Sequence, residues 1–315
     1  MIKNESFKLR DVNFANRIFV ASGTFGYGDE VSDLVDVNKL GAIVTKSLSL
    51  KPRDGNPPPR ITETSCGMLN SIGLANIGVE KYISEKIPNF KNLKTKIIAN
   101  IAASSVEEYC TVLEKLNPFD EIAAFEINLS CPNVKEGGLS FGTNLKSFEI
   151  ISREVRKKTS KPIILKLTPN VTHISEFAKI AENEGADAIS VVNTFVGMAV
   201  NIYKRTPKLS TVTGGLSGPA IKPLALAKVY ECVRAVKIPV IGIGGIASWE
   251  DAIEFFIVGA TAIQIGTANY LNPATGEFIL KGISDFCENQ KIDDFNNLIG
   301  SLSADHSASV LKTWL

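Results

Sequence analysis

Histidine, tryptophan and methionine are scarce in this chain: 315 residues hold two, two and three of them. His173 and His306 are too few for extensive imidazole chemistry, and both are expected at the surface. The five cysteines, Cys66, Cys110, Cys131, Cys232 and Cys287, are scattered, and none forms a CxxC pair. The usual ligand spacing for zinc or an iron–sulfur cluster is therefore missing, and a reducing, cytoplasmic setting fits. Net charge is only +1, so no strong field draws nucleic acid or an anionic membrane. No apolar run approaches the ~18 residues that span a bilayer. The first residues, Met1–Ser6, carry no apolar stretch of the kind a secretory signal needs. Internal repeats, low-complexity tracts and linkers are also lacking, so residues 1–315 are expected to form one domain.

What is present is a recurring apolar strand pattern. Runs at Ile18–Ala21, Ala42–Lys46, Lys96–Ile101, Ala124–Asn128, Pro162–Leu167, Ala188–Val192, Val240–Ile243 and Ala262–Ile265 are nearly continuous in Ile, Val and Ala. Such runs suit parallel strands buried on both faces. Amphipathic segments of helical length separate them. Ser104 with Glu107 predicts a capped helix start, and Thr172–Phe177 and Ser248–Asp251 open two more helices, ending near Gly185 and Gly259. Eight strands alternating with helices predict an α/β fold of the (β/α)8 barrel type, with a doubly wound open sheet as the alternative. Three stretches depart from the alternation. Phe7–Phe14 predicts a β-hairpin across the barrel bottom. Lys51–Leu74, with Pro57, Pro58 and Pro59, is too long for an ordinary connection and is expected to be functional. Asn201–Gly218 is polar and glycine-rich.

In a barrel the chemistry lies at the C-terminal ends of the strands. Those ends read Ser22-Gly23, Lys46-Ser47, Asn100, Asn128 with Cys131 beyond it, Lys166, Asn193-Thr194, Gly244-Gly245 and Gly266-Thr267. Amides at three ends and lysines at two others predict a ring around a polar, planar ligand. The glycines after the last two strands predict a phosphate site, because backbone N–H groups can approach an anion closely there. Gly242-Ile-Gly244-Gly245 is not a Rossmann fingerprint: it lies late, and no acidic residue follows a second strand at the required distance. A phosphate at strands seven and eight with a lysine inside the barrel mouth suits flavin mononucleotide (FMN). Lys166 stands in an otherwise apolar strand, where an unpaired charge is costly, and a lysine there can stabilise a reduced, anionic flavin. Cys131 follows a strand end in a polar loop beside Pro132, with Gly137 and Gly138 after it. A thiol so placed is a candidate base rather than a core hydrophobe.

These residues resemble a known family. Asn128-Leu-Ser-Cys-Pro-Asn133, the Lys46-Ser47 strand end, Asn70-Ser-Ile-Gly-Leu74, Val192-Asn-Thr194 and the paired glycine loops are similar to the class 1 dihydroorotate dehydrogenases, over essentially the whole chain. Ala21–Gly28 and Gly55–Arg60 resemble subclass 1B, the FMN-bearing catalytic subunit of a two-protein enzyme. The resemblance implies oxidation of dihydroorotate to orotate in pyrimidine biosynthesis, with one FMN per chain. Cys131 would take the C5 proton while hydride leaves C6. It implies flavin contacts from Ser22, Lys46, Ser47, Asn100, Asn128, Lys166, Val192, Gly218, Gly244, Gly245, Gly266 and Thr267. Substrate contacts are implied for Lys46, Asn70, Ser71, Ile72, Gly73, Leu74, Asn128, Asn133, Asn193 and Thr194. Cys131–Gly142 would be a lid. The resemblance also implies a homodimer within a heterotetramer, whose partner subunit carries FAD and a 2Fe–2S cluster and passes electrons to NAD⁺. Two other acceptors or substrates stay open: fumarate, as in class 1A, and uracil or thymine, as in the dihydropyrimidine dehydrogenases. A non-enzymatic phosphate-binding barrel would leave Cys131 and Lys166 as accidents.

Overall fold

The computed structural model describes residues 3–129 and 141–303. Eight parallel strands, Ile18–Val20, Ala42–Val44, Lys96–Ile101, Ile122–Asn128, Ile163–Leu167, Ala188–Val191, Val240–Ile243 and Ala262–Ile265, pair in chain order into a closed barrel. The last returns to the first through Ile263 opposite Ile18, which rules out the open sheet. Strand ends differ from the sequence expectation by at most two residues.

Side chains alternate across each strand, so every second residue faces the lumen. Ala42, Ala124, Ala188 and Ala262 sit in one buried cluster with Phe7, Phe14 and Phe19. Small alanines leave room that aromatic rings fill. The rings arrive on the predicted hairpin, in which Phe7–Leu9 pairs with Val12–Phe14. Phe7 stacks on Phe14 at 5.6 Å and Phe14 meets Phe19 at 4.9 Å. The hairpin thus plugs the barrel floor.

Outside lie the helices Val79–Glu85, Val106–Leu116, Leu145–Arg156, Ile174–Asn183, Lys222–Val233, Trp249–Ile257 and Thr275–Asn289. The connection after the first strand departs from expectation: it holds only a 3₁₀ turn, Val37–Lys39. One cap also shifts. Ser105, not Ser104, caps the helix at Val106, accepting from the Glu108 N–H. The Glu108 carboxylate takes the Ser104 N–H at 2.6 Å. The reciprocal box at Ser248 and Asp251 is formed.

The other two irregular stretches contribute strands. Ile61–Thr64, Gly67–Asn70, Phe195–Met198 and Thr213–Ser217 make one antiparallel four-stranded sheet. Glycines hid it. A side chain on Gly67 would lie 2.1 Å from the Ser217 carbonyl oxygen, and one on Gly215 would lie 2.2 Å from Thr194 Oγ1. Close backbone approach, not apolar alternation, makes this sheet. Among the described residues no helix is long and apolar enough to cross a membrane, and no cluster of metal-ligating side chains occurs.

Candidate active site

The predicted strand-end residues gather on one rim. Buried Asn128 ends the fourth strand, opposite Lys166 of the fifth, and Lys166 is opposite Ser190 of the sixth. The Tyr109 hydroxyl donates to the Asn128 carbonyl at 2.7 Å and pins that strand end from the helix behind it. Asn193 Nδ2 donates to Asn128 Oδ1 at 3.3 Å, while Asn193 Oδ1 accepts from the Thr194 N–H at 2.8 Å. Val192 follows a cis peptide and is buried. Ser22 Oγ donates to the Thr45 carbonyl at 2.7 Å, which ties the first strand end to the second. Cys131 and Asn133 lie outside the described residues, as does most of the expected lid.

An anion cradle stands where the last two strands end. The N–H groups of Gly244, Gly245, Gly266 and Thr267 have no acceptor among the described residues. Gly244 and Gly245 hold φ of 127° and 76°, which a side chain would strain. A Cβ on Gly266 would meet only Ala21 Cβ, at 3.6 Å, and one on Gly23 would meet nothing within 4 Å. Both glycines therefore border open space, into which a ligand can lie against the backbone. Thr267 Oγ1 donates to Ser217 Oγ at 2.8 Å, and Gly218 packs against Gly67, so the four-stranded sheet leans on this corner. Unpartnered, partly exposed donors beside the open space at Gly266 fit a phosphate-bearing flavin.

The Asn70–Leu74 segment divides in two. Asn70 Nδ2 donates to the Gly215 carbonyl at 3.4 Å. Ser71 braces the loop: its N–H goes to the Arg60 carbonyl, and its hydroxyl oxygen accepts from Asn56 and Thr211. Its hydroxyl proton remains available to a ligand. The next three N–H groups, of Ile72, Gly73 and Leu74, have no partner among the described residues. Gly73 and Leu74 take left-handed φ of 72° and 58°. Successive free N–H groups on such a turn form a nest that suits a carboxylate.

Lys46 and Ser47 follow the second strand and are partly buried. Burial, aided by the nearby Arg60 charge, lowers the Lys46 pKa from the usual lysine value. Lys166 is 5% exposed and Glu126 0%. Glu126 is the residue that sequence reasoning missed. Its carboxylate accepts from Asn100 Nδ2 at 2.7 Å, Lys166 Nζ at 3.4 Å, Ser190 Oγ at 2.9 Å and Gln264 Nε2 at 2.7 Å. Glu126 precedes Asn128 by two, so strand periodicity places both in the lumen; that spacing was the available signal. Three of the other cysteines behave differently from the expectation for Cys131, whereas Cys66 is free and exposed. Cys110, Cys232 and Cys287 are free and buried, and burial raises all three thiol pKa values. His173 is exposed, as expected.

A family model described as dihydroorotate dehydrogenase matches residues 6–287. A Thermoanaerobacter sp. (strain X514) protein, "Dihydroorotate dehydrogenase B (NAD(+)), catalytic subunit", is 50% identical over 96% of this chain and 100% of its own. A protein of the same description from Alkaliphilus oremlandii is 50% identical over 95% and 99%. One from Aquifex aeolicus, provisionally named a dihydroorotate dehydrogenase A (fumarate), is 49% identical over 94% and 97%.

Proposed function

Because this chain belongs to the dihydroorotate dehydrogenase family, we propose that it oxidises dihydroorotate to orotate in pyrimidine biosynthesis. It does so as the FMN-bearing catalytic subunit of an NAD⁺-linked enzyme. The observation that carries the reading is the cradle of unpartnered N–H groups at Gly244, Gly245, Gly266 and Thr267, on the same rim as Lys166, Asn100 and Asn128. The cradle would hold the flavin phosphate, with Gly218 beside it. Ser22, Ser47, Val192 and Lys166 would border the ring system. Bound there, FMN would supply the acceptor for the hydride that leaves C6 of dihydroorotate.

The remaining work belongs to protein side chains. Cys131, as thiolate, takes the C5 proton, so that loss of hydride and proton together leaves the C5–C6 double bond of orotate. A free thiol is only a few per cent ionised at neutral pH, so the rate should rise with pH. Asn70, Asn128, Asn133, Asn193 and Thr194 offer donors and acceptors to the imide edge. Lys46 and the Ile72–Leu74 nest take the carboxylate, a group that uracil and thymine lack.

Electrons leave through a partner subunit. The sequence has no CxxC pair and no Rossmann fingerprint to relay them to NAD⁺, and the relatives named as catalytic subunits support a separate electron-transfer subunit. FAD and a 2Fe–2S cluster are the cofactors proposed for that subunit. A cytoplasmic homodimer of single-domain chains, within a heterotetramer, is the assembly proposed. The test is dihydroorotate oxidation by the purified chain, followed with an artificial dye, NAD⁺ or fumarate. Dye reduction without NAD⁺ reduction, restored by the partner, supports the reading. NAD⁺ reduction by the chain alone refutes it, and strong fumarate reduction moves the chain to the other acceptor class.

A further inference from the structure

Glu126 takes no part in the reaction proposed above, yet its carboxylate is fully buried and meets four donors. The donors divide by oxygen. Oε1 accepts from Asn100 and Lys166, both assigned to the flavin. Oε2 accepts from Ser190 and Gln264, which lie in the lumen wall and have no flavin role. The carboxylate therefore bridges a fixed framework to the two cofactor-facing side chains. Asn100 and Gln264 turn their NH₂ groups to it although their own carbonyl oxygens are left buried without a partner. A buried charge paired and hydrogen-bonded in this way holds its neighbours in one geometry. It also offsets the lysine's charge at close range in a low-dielectric interior.

We propose that Glu126 is a positioning residue of the flavin site: it fixes the Lys166 ammonium and the Asn100 amide, and sets how far the lysine favours reduced over oxidised flavin. This rests on the flavin reading of the site. A purely structural carboxylate would affect melting of the apoprotein but not the flavin potential.

The experiment titrates flavin into apoprotein and measures the midpoint potential of the bound cofactor, for wild type, Glu126→Gln, Lys166→Met and the double variant. Gln keeps the volume, and the neighbouring amides can rotate to meet it. With Glu126 neutralised, the lysine charge acts unopposed. The affinity ratio for reduced over oxidised flavin should rise at least tenfold, an upward shift of about 30 mV for a two-electron couple. In the Lys166→Met background the same substitution should change the ratio less than twofold, because no lysine remains to be offset. An unchanged ratio in folded Glu126→Gln overturns the proposal, as does an equal shift in both backgrounds. Should Glu126→Gln not fold, Ser190→Ala and Gln264→Met carry the test. Each strips one donor from Oε2, so the carboxylate leans harder on Lys166 and the ratio should fall at least threefold. No change in either overturns the proposal. Wild-type apoprotein that takes up no flavin would instead defeat the underlying reading of the site.

Discussion

Five barrel strands carry an apolar residue and, two positions on, a polar one: Ile98 and Asn100, Ala124 and Glu126, Ile164 and Lys166, Ala188 and Ser190, Ala262 and Gln264. Strand periodicity directs both members of each pair into the lumen, and all ten are buried. Only height along the barrel differs. The lower residues join Phe7, Phe14 and Phe19 in a carbon-filled floor. The upper ones form the hydrogen-bonded array around Glu126. One storey stabilises the fold by excluding water. The other gives up part of that stabilisation to hold charge and amides beneath the proposed flavin site. The comparison predicts that substitutions on the floor change stability and leave chemistry alone, while those at the rim do the reverse.

The largest expected effect is at the proposed catalytic base. Cys131→Ala should lose about 10²- to 10⁴-fold in turnover, the usual contribution of a general base, with flavin and orotate binding retained. Cys131→Ser should keep a trace of activity, displaced to higher pH. Stopped-flow reduction of the bound flavin by dihydroorotate measures this directly, and near wild-type rates in Cys131→Ala would end the assignment. The counterpart on the floor is Phe14→Ala. Phe14 is fully buried between Phe7 and Phe19, and truncation of such a ring costs about 3–5 kcal/mol. Urea melts should show that loss, while turnover per bound flavin stays at the wild-type value. A changed flavin potential in this variant would mean that the two storeys are coupled and the comparison is too simple.

The floor was easier to read from sequence than the rim. Continuous Ile, Val and Ala runs mark strands whatever their neighbours do, and all eight barrel strands follow from them. Lys166 stood out because a lysine breaks such a run. Glu126 breaks one too, but Asn128 and Cys131 lie just beyond it and drew the argument to the strand end. Its importance depends on Ser190 and Gln264, which are 64 and 138 residues away, and no local pattern reports that distance. The four-stranded sheet escaped for another reason. Thr213–Ser217 has two glycines and no apolar alternation, so its pairing comes wholly from tertiary contact. The Ser104 cap was off by one because adjacent serines offer the same oxygen, and only backbone geometry chooses between them.

A third prediction lies outside the lumen and serves as a reference for size. Ser248 caps the helix Trp249–Ile257 through the Asp251 N–H, with Asp251 returning the bond. Ser248→Ala should cost about 1 kcal/mol, visible in urea melts, and change neither the flavin potential nor turnover. A loss several times larger would show that the helix start supports the neighbouring glycine loop, making that loop part of the rim's cost.

The smallest effect tests whether the rim gives up stability for its charges at all. Lys46 is partly buried, and no ion pair or hydrogen bond holds its ammonium among the described residues. Burial, with Arg60 near, lowers its pKa in the folded protein. Below that lowered value both folded and unfolded chains carry the proton, and the fold bears the full penalty of the charge. Between it and the ordinary lysine value of about 10.4, the unfolded chain binds more protons than the folded one, so stability contributed by this group rises with pH. Above that value both states are neutral and the penalty is gone. Lys46→Met apoprotein should therefore be more stable than wild type at neutral pH, by less than the Ser248 cap is worth. The advantage should shrink steadily as pH approaches 10. Its flavin and substrate binding should be impaired over the same range. Urea melts of the two apoproteins at several pH values decide it. An advantage that stays constant with pH would assign the gain to packing of the methionine, and a loss at neutral pH would mean that the Lys46 charge stabilises the empty rim.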